Sequence, residues 1–162
     1  QLPGLRRYAR VLTGDAWAAD DLVQDTLERA CSKWLLWRSG SDLRAWLFTL
    51  MHNLYLNQRR GAPPLAAVDI DEVRGQLPGA PGPSDDALDL ERCLRRLPAD
   101  QRAVLLLVGL EDMSYEETAR ILAIPVGTVM SRLSRARSRL RALMEHAPEP
   151  PVERTPALRR LK

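Results

Sequence analysis

Between Gly61 and Pro83 the chain carries Pro63, Pro64, Pro78, Pro81 and Pro83, together with Gly61, Gly75, Gly79 and Gly82. Proline removes a backbone donor and clashes with the preceding helical turn, and glycine loses the most conformational freedom on ordering. No continuous helix crosses such a stretch. Its acids, Asp69, Asp71 and Glu72, and its few large apolar side chains cannot build a core. The chain is therefore read as two units, residues 1–60 and 84–146, on either side of a linker at 61–83. A Pro-rich tail at 147–162 is expected to be disordered.

On both sides of the linker apolar residues recur at three- and four-residue steps, and no segment alternates with the period of a strand. The expected fold class is all-α, two small helical domains joined by a flexible linker. A first helix over Leu2–Leu12 places Leu5, Tyr8 and Leu12 on one face. In the next, Leu22, Val23, Leu27, Ala30, Cys31 and Trp34 form the apolar stripe. A third helix is capped by Ser41 or Asp42, lined by Leu43, Trp46, Leu47, Leu50 and Leu54, and ended by Gly61. Beyond the linker, Ser84 opens a helix, Asp100 caps another, and Ser114 with Glu117 forms a capping box for a third. Cys31 and Cys93 are read as buried free thiols, with no spacing for a disulfide framework or a metal knot. No apolar run is long enough to span a bilayer, no signal peptide is visible, and a cytoplasmic location without membrane insertion is expected. The first residues already follow a helical pattern, so a preceding segment is expected.

A formal net charge of +3 says little until the charges are placed. From Val126 to Met144 stand Arg132, Arg135, Arg137, Arg139 and Arg141 with no acid, whereas Asp69–Glu91 is acidic. The basic block falls in a helix, tight turn and second helix over Ser114–Leu140, a pattern whose second helix enters the DNA major groove. At 100° per residue, Val126, Val129, Leu133, Ala136, Leu140 and Leu143 form one inward stripe. Ser131, Arg135, Ser138 and Ala142 point outward, flanked by Ser134 and Arg139. Met130 falls on the shoulder of that outer face, where arginine or a polar side chain fits the pattern better.

Three stretches resemble, in order, the conserved regions of the extracytoplasmic-function (ECF), or group IV, bacterial sigma factors of the sigma-70 family. "DDLVQDTLERA" is similar to the family's polymerase-binding helix, "LRAWLFTLMHNLYLNQRR" to its minus-ten-element helix, and "LPADQRAVLLLVGLEDMSYEETARILAIPVGTVMSRLSRARSRL" to its fourth region. The resemblance implies a protein that binds core RNA polymerase (β′ and β subunits) and directs it to promoter DNA. Asp21, Gln24, Asp25 and Glu28 would dock on a basic coiled coil of β′, where opposite charges orient assembly. The loop Arg38–Asp42, with Ser39 and Ser41, would hold a flipped base, and Asn53 matches the family asparagine on the helix that follows. Trp46 either supports that pocket or packs in the core. Arg59 and Arg60 would meet phosphates, with His52 and Tyr55 near enough to help.

In the fourth region Ser131 and Arg135 would face the bases of the minus-thirty-five element, while Thr128, Arg132 and Arg139 hold phosphates. Many family members carry arginine where Met130 stands. Methionine donates no hydrogen bond to guanine or phosphate but can touch a thymine methyl. An anti-sigma factor is the expected further partner, and an acidic linker fits a channel that otherwise holds nucleic acid.

Catalysis has no support in the sequence. His52 and His146 are the only histidines, neither lies near partners at triad or metal-ligand spacing, and no phosphate-cradling Gly-rich loop occurs. No cofactor or metal is expected. A plain helix-turn-helix regulator would leave the first two motifs without a task. A sigma-like decoy that only captures an anti-sigma protein would not need the arginine row.

Overall fold

Each helix begins and ends where local chemistry dictates. The computed structural model describes residues 2–37, 40–61 and 84–146. Helix α1 (Leu2–Thr13) buries Leu5, Tyr8, Ala9, Val11 and Leu12 on one face. Gly14 ends it at φ 73°, a left-handed conformation that glycine adopts without steric cost. Asp15 then caps α2 (Ala16–Ser32), its side chain accepting from the Ala18 amide at 3.0 Å. This tight junction folds α2 back on α1, where Ala19, Leu22, Val23, Thr26 and Ala30 are buried. A short 3-10 turn (Trp34–Leu36) follows, and α3 (Leu43–Gly61) starts at Asp42, whose carboxylate accepts from the amides of Arg44 and Ala45. Asp42 is the residue that caps α3.

After the linker, Ser84 caps α4 (Asp85–Arg95) by accepting from the Ala87 amide. Helix α5 (Ala99–Gly109) is preceded by Pro98 and has no side-chain cap. Asp100, expected as its cap, sits in its first turn and pairs with Arg132 at 3.5 Å instead. The capping box of α6 (Tyr115–Leu122) is complete, with Ser114 Oγ accepting from Glu117 and the Glu117 carboxylate accepting from Ser114. Ala123 turns left-handed at φ 53° to end α6, and Pro125 leads into α7 (Val126–Glu145).

The apolar stripe of α3 differs from the expected one. Leu47, Phe48, Met51, His52 and Tyr55 are the buried residues, while Leu43, Trp46, Leu50 and Leu54 are only partly covered. The reason is that α3 packs on α2 on one side and α6 on another. Most of its circumference is then apolar, and the periodic contrast that marks one face is weak. The cysteines also separate: Cys93 is buried, but Cys31 is exposed, as is Trp34 at the end of the same stripe.

The helices on the two sides of the linker pack on each other. One core joins Leu5, Tyr8, Leu22, Phe48 and Met51 to Leu94, Leu97, Leu106, Leu107 and Ile121, and a smaller cluster of Val104, Ala119, Val129 and Leu133 clamps the helix-turn-helix. Polar groups cross the same boundary. The Arg102 guanidinium on α5 donates to the carbonyls of Val11 and Leu12 in the last turn of α1, and to those of Arg95, the last residue of α4, and Leu97 just beyond it. Helix C-termini leave carbonyls unpaired, and one planar, multiply donating cation satisfies two of them at once. Burial lowers the Arg102 pKa from its usual range. At the other end of α1, the Glu111 carboxylate, with its side chain 1% exposed, pairs with Arg7 at 3.1 Å and Arg44 at 3.0 Å.

Candidate nucleic-acid interface

Helix α7 separates its two faces cleanly. Val129, Leu133 and Ala136 are buried, with Val126, Leu140 and Leu143 partly covered, as the wheel requires. Met130, Ser131, Ser134, Arg135 and Arg139 are exposed, and Met130 keeps 53% of its surface in solvent. Arg135 and Arg139 form no ion pair among the described residues, so their charge is available to a polyanion. Arg132 is different, because Asp100 holds it at 3.5 Å and its side chain is 30% exposed. Ser131 turns its hydroxyl back to donate to the Thr128 carbonyl at 3.1 Å, leaving its oxygen free to accept. Thr128 lies in the first turn, half-buried, where free amides and the positive end of the helix favour an anion.

On α3 the structure divides the expected residues. Asn53, Arg59 and Arg60 are exposed, and Ser41 is exposed just ahead of the helix. Ser39 and Arg38 lie outside the described residues. Trp46 packs against the core, which favours its structural role. Arg59 lies over the Tyr55 ring at 5.7 Å and donates to the Tyr55 hydroxyl at 3.4 Å. His52 and Tyr55, expected near phosphates, are each only 7% exposed and belong to the core. Burial pulls the His52 pKa down to about 4, and burial, with the nearby Tyr55, raises that of Tyr8. His52 is therefore neutral at ordinary pH and offers a phosphate no charge.

Asp21, Gln24, Asp25 and Glu28 are all exposed on α2. Gln24 donates to Glu28 at 3.1 Å, and Gln58 of α3 donates to Asp25 at 3.3 Å, which orients the acidic face. A shallow groove beside it is lined by Val23, Gln24, Leu27, Glu28 and Cys31. Trp17, one turn before Asp21, is 79% exposed and extends this face with an aromatic platform. Sequence reasoning passed over Trp17; its signal was an aromatic lying off the buried stripe. It also passed over Arg44 and Glu111. Among the described residues no group of His, Cys, Asp and Glu could hold a metal ion, and no helix is long and apolar enough to cross a membrane.

Comparison with known proteins agrees with this geometry. Residues 1–52 match the family model "Sigma2 domain of PhyR" and residues 87–140 match "Sigma-70, region 4". The ECF RNA polymerase sigma factor EcfG of Rhodopseudomonas palustris is 40% identical over 149 residues, covering 88% of this chain and 80% of the relative. The ECF RNA polymerase sigma factor SigM of Mycobacterium tuberculosis is 31% identical over 140 residues, covering 86% and 71%. Among solved structures, the sigma factor RpoE of Bartonella quintana, crystallised with the anti-sigma factor NepR, superposes with a TM-score of 0.73 at 36% identity, covering 90% of this chain and 92% of that one. CnrH, solved with the cytosolic domain of CnrY, gives 0.66 at 25% identity, covering 88% and 80%.

Proposed function

The chain belongs to the ECF family of RNA polymerase sigma factors and directs promoter-specific transcription, and from that premise we propose how its surfaces divide the task. Residues 1–60 form the unit that engages polymerase and the minus-ten element, and 84–146 the unit that reads the minus-thirty-five element. Asp21, Gln24, Asp25 and Glu28 dock on a basic surface of the β′ subunit, with Trp17 adding apolar contact. Asn53, Arg59 and Arg60 meet the separated strand beside the loop that contains Ser39 and Ser41. On α7, Met130, Ser131, Ser134 and Arg135 face base edges, while Thr128, Arg132 and Arg139 meet phosphates. The polymerase supplies the chemistry, and this chain supplies recognition. A polymerase subunit works where the promoter is, so the chain acts in the cytoplasm. Its relatives' complexes with NepR and CnrY support an anti-sigma partner here as well.

One observation carries this reading: the outer face of α7 is accessible, acid-free and arginine-rich while its inner face is locked in the core. A decoy that only bound an anti-sigma protein would gain nothing from that face. Run-off transcription with core polymerase and a genomic promoter library tests the proposal. Polymerase-dependent transcripts from a bipartite promoter are expected. Their absence, together with tight duplex binding by the free protein, would identify an ordinary helix-turn-helix regulator instead.

A further inference from the structure

Of the arginines on α7, Arg132 alone has an acid partner among the described residues. Its Nε stands 3.5 Å from the carboxylate of Asp100, in the first turn of α5. Arg135, Arg137, Arg139 and Arg141 are exposed, whereas Arg132 is half-buried, with 30% of its side chain in solvent. The helices that carry the pair are locked together. Val104 of α5 packs in one buried cluster with Val129 and Leu133 of α7, the residues three before and one after Arg132.

An acid is out of place beside a face that meets a polyanion. Asp100 does not cap α5, and half of its side chain is exposed. An ion pair so open to water adds little to folding. By charge alone, Asp100 weakens the field that α7 offers to phosphates. What the carboxylate does supply is a fixed point for a long, flexible side chain. Arginine loses much rotamer freedom when a contact orders it, and ordering it beforehand spares that cost at the moment of binding. Anchoring Nε leaves both terminal nitrogens, which have no partner among the described residues, to donate to one phosphate as a planar fork.

We infer that Asp100 is a positioning residue for DNA binding: from α5 it holds the Arg132 guanidinium in the orientation in which it meets a minus-thirty-five phosphate. This rests on the sigma-factor reading, which gives Arg132 its phosphate. The inference has a sign opposite to that of bare charge. Removing an acid near a polyanion should tighten binding, whereas removing the anchor of Arg132 weakens it.

Binding of holoenzyme, formed from the full chain and core polymerase, to promoter duplexes tests the assignment in a double-mutant cycle. Asp100→Asn keeps the shape and removes the charge. It should weaken binding roughly two- to tenfold, evenly for matched and mismatched minus-thirty-five sequences. Asp100→Glu, which keeps a charge on the same turn, should recover most of the loss. Arg132→Ala should weaken binding and flatten the salt dependence by about one phosphate contact. In that background Asp100→Asn should cost nothing further. All variants are compared at a temperature where circular dichroism shows each free chain fully helical, so that lost fold cannot imitate a lost anchor. Tighter or unchanged binding by Asp100→Asn, while Arg132→Ala still weakens it, would overturn the positioning role. So would an equal loss from Asp100→Asn with and without Arg132, or a Glu variant that binds no better than the Asn variant. An Arg132→Ala holoenzyme that binds like the wild type would instead remove Arg132 from the phosphate contacts, and with it the reading on which the inference stands.

Discussion

Tyr8 on α1 and His52 on α3 share a hydrogen bond of 3.1 Å between the phenol oxygen and Nδ1, both side chains within the core. Phe48 meets the same tyrosine ring edge-on at 5.4 Å. The pair joins α1 to α3 by a polar contact inside the apolar core, where burial keeps the imidazole neutral.

That neutrality makes stability depend on pH in a defined direction. The folded His52 pKa of about 4 lies below the unfolded value near 6.5, so the unfolded chain binds more protons between them. The contribution is present above pH 6.5 and is lost as pH falls towards 4. Its upper size is about 3 kcal/mol from the separation of the two values. Thermal unfolding from pH 7.5 to 4.5 should show a steeper fall for the wild type than for His52→Gln, which has no proton to take up. Parallel curves would mean that carboxylates alone set the acid limb.

The left-handed Ala123 gives a second stability prediction. At φ 53° it ends α6, its amide bonded to Ala119 and Arg120 carbonyls. A Cβ in this conformation costs on the order of 1 kcal/mol, which glycine avoids. Ala123→Gly should raise the unfolding free energy by about 0.5–1 kcal/mol, less the extra freedom glycine gains when unfolded. The bend between α6 and α7 is unchanged, so DNA affinity should not fall. Denaturant unfolding checks the first expectation and duplex binding the second.

The sequence was most legible where one face of a helix differs sharply from the other. On α7 the outer face is serine and arginine, and Val129, Leu133 and Ala136 fall inward where the wheel placed them. On α3 the same reasoning chose Leu43, Leu50 and Leu54 over Phe48, Met51 and Tyr55, because two neighbours cover the helix and flatten the contrast. Glu111 was invisible for another reason. Its partner Arg7 is 104 residues away, and an isolated glutamate is ordinarily a surface residue. Arg102, 91 residues from Val11, was hidden in the same way. Local pattern reports which face is buried; it does not report which distant helix covers it.

Arg135 and Arg139 should separate reading from holding. Both are exposed on α7 and unpaired among the described residues, but Arg135 lies nearer the centre of the outer face. Arg135→Ala should reduce discrimination against a mismatched minus-thirty-five base by about 1–3 kcal/mol. Arg139→Ala should weaken all sequences evenly and flatten the salt dependence by about one phosphate contact. Holoenzyme binding to matched and mismatched promoters at several salt concentrations distinguishes the two. Equal effects from both substitutions would show that the helix is rotated from the proposed docking.

Met130 gives a prediction about base preference. It is 53% exposed on the α7 shoulder, one residue after the fully buried Val129, so it contributes little to the core. Its thioether offers apolar contact to a thymine methyl, whereas arginine offers paired donors to guanine O6 and N7. Met130→Arg should therefore move the preferred base at one minus-thirty-five position from T towards G. Folding stability should stay within about 0.5 kcal/mol, as for other exposed substitutions. Selection from a randomised promoter library reads the first effect and thermal unfolding the second. A shift in preference without loss of stability would make Met130 a determinant of which promoters this chain serves; unchanged preference would place it outside the groove.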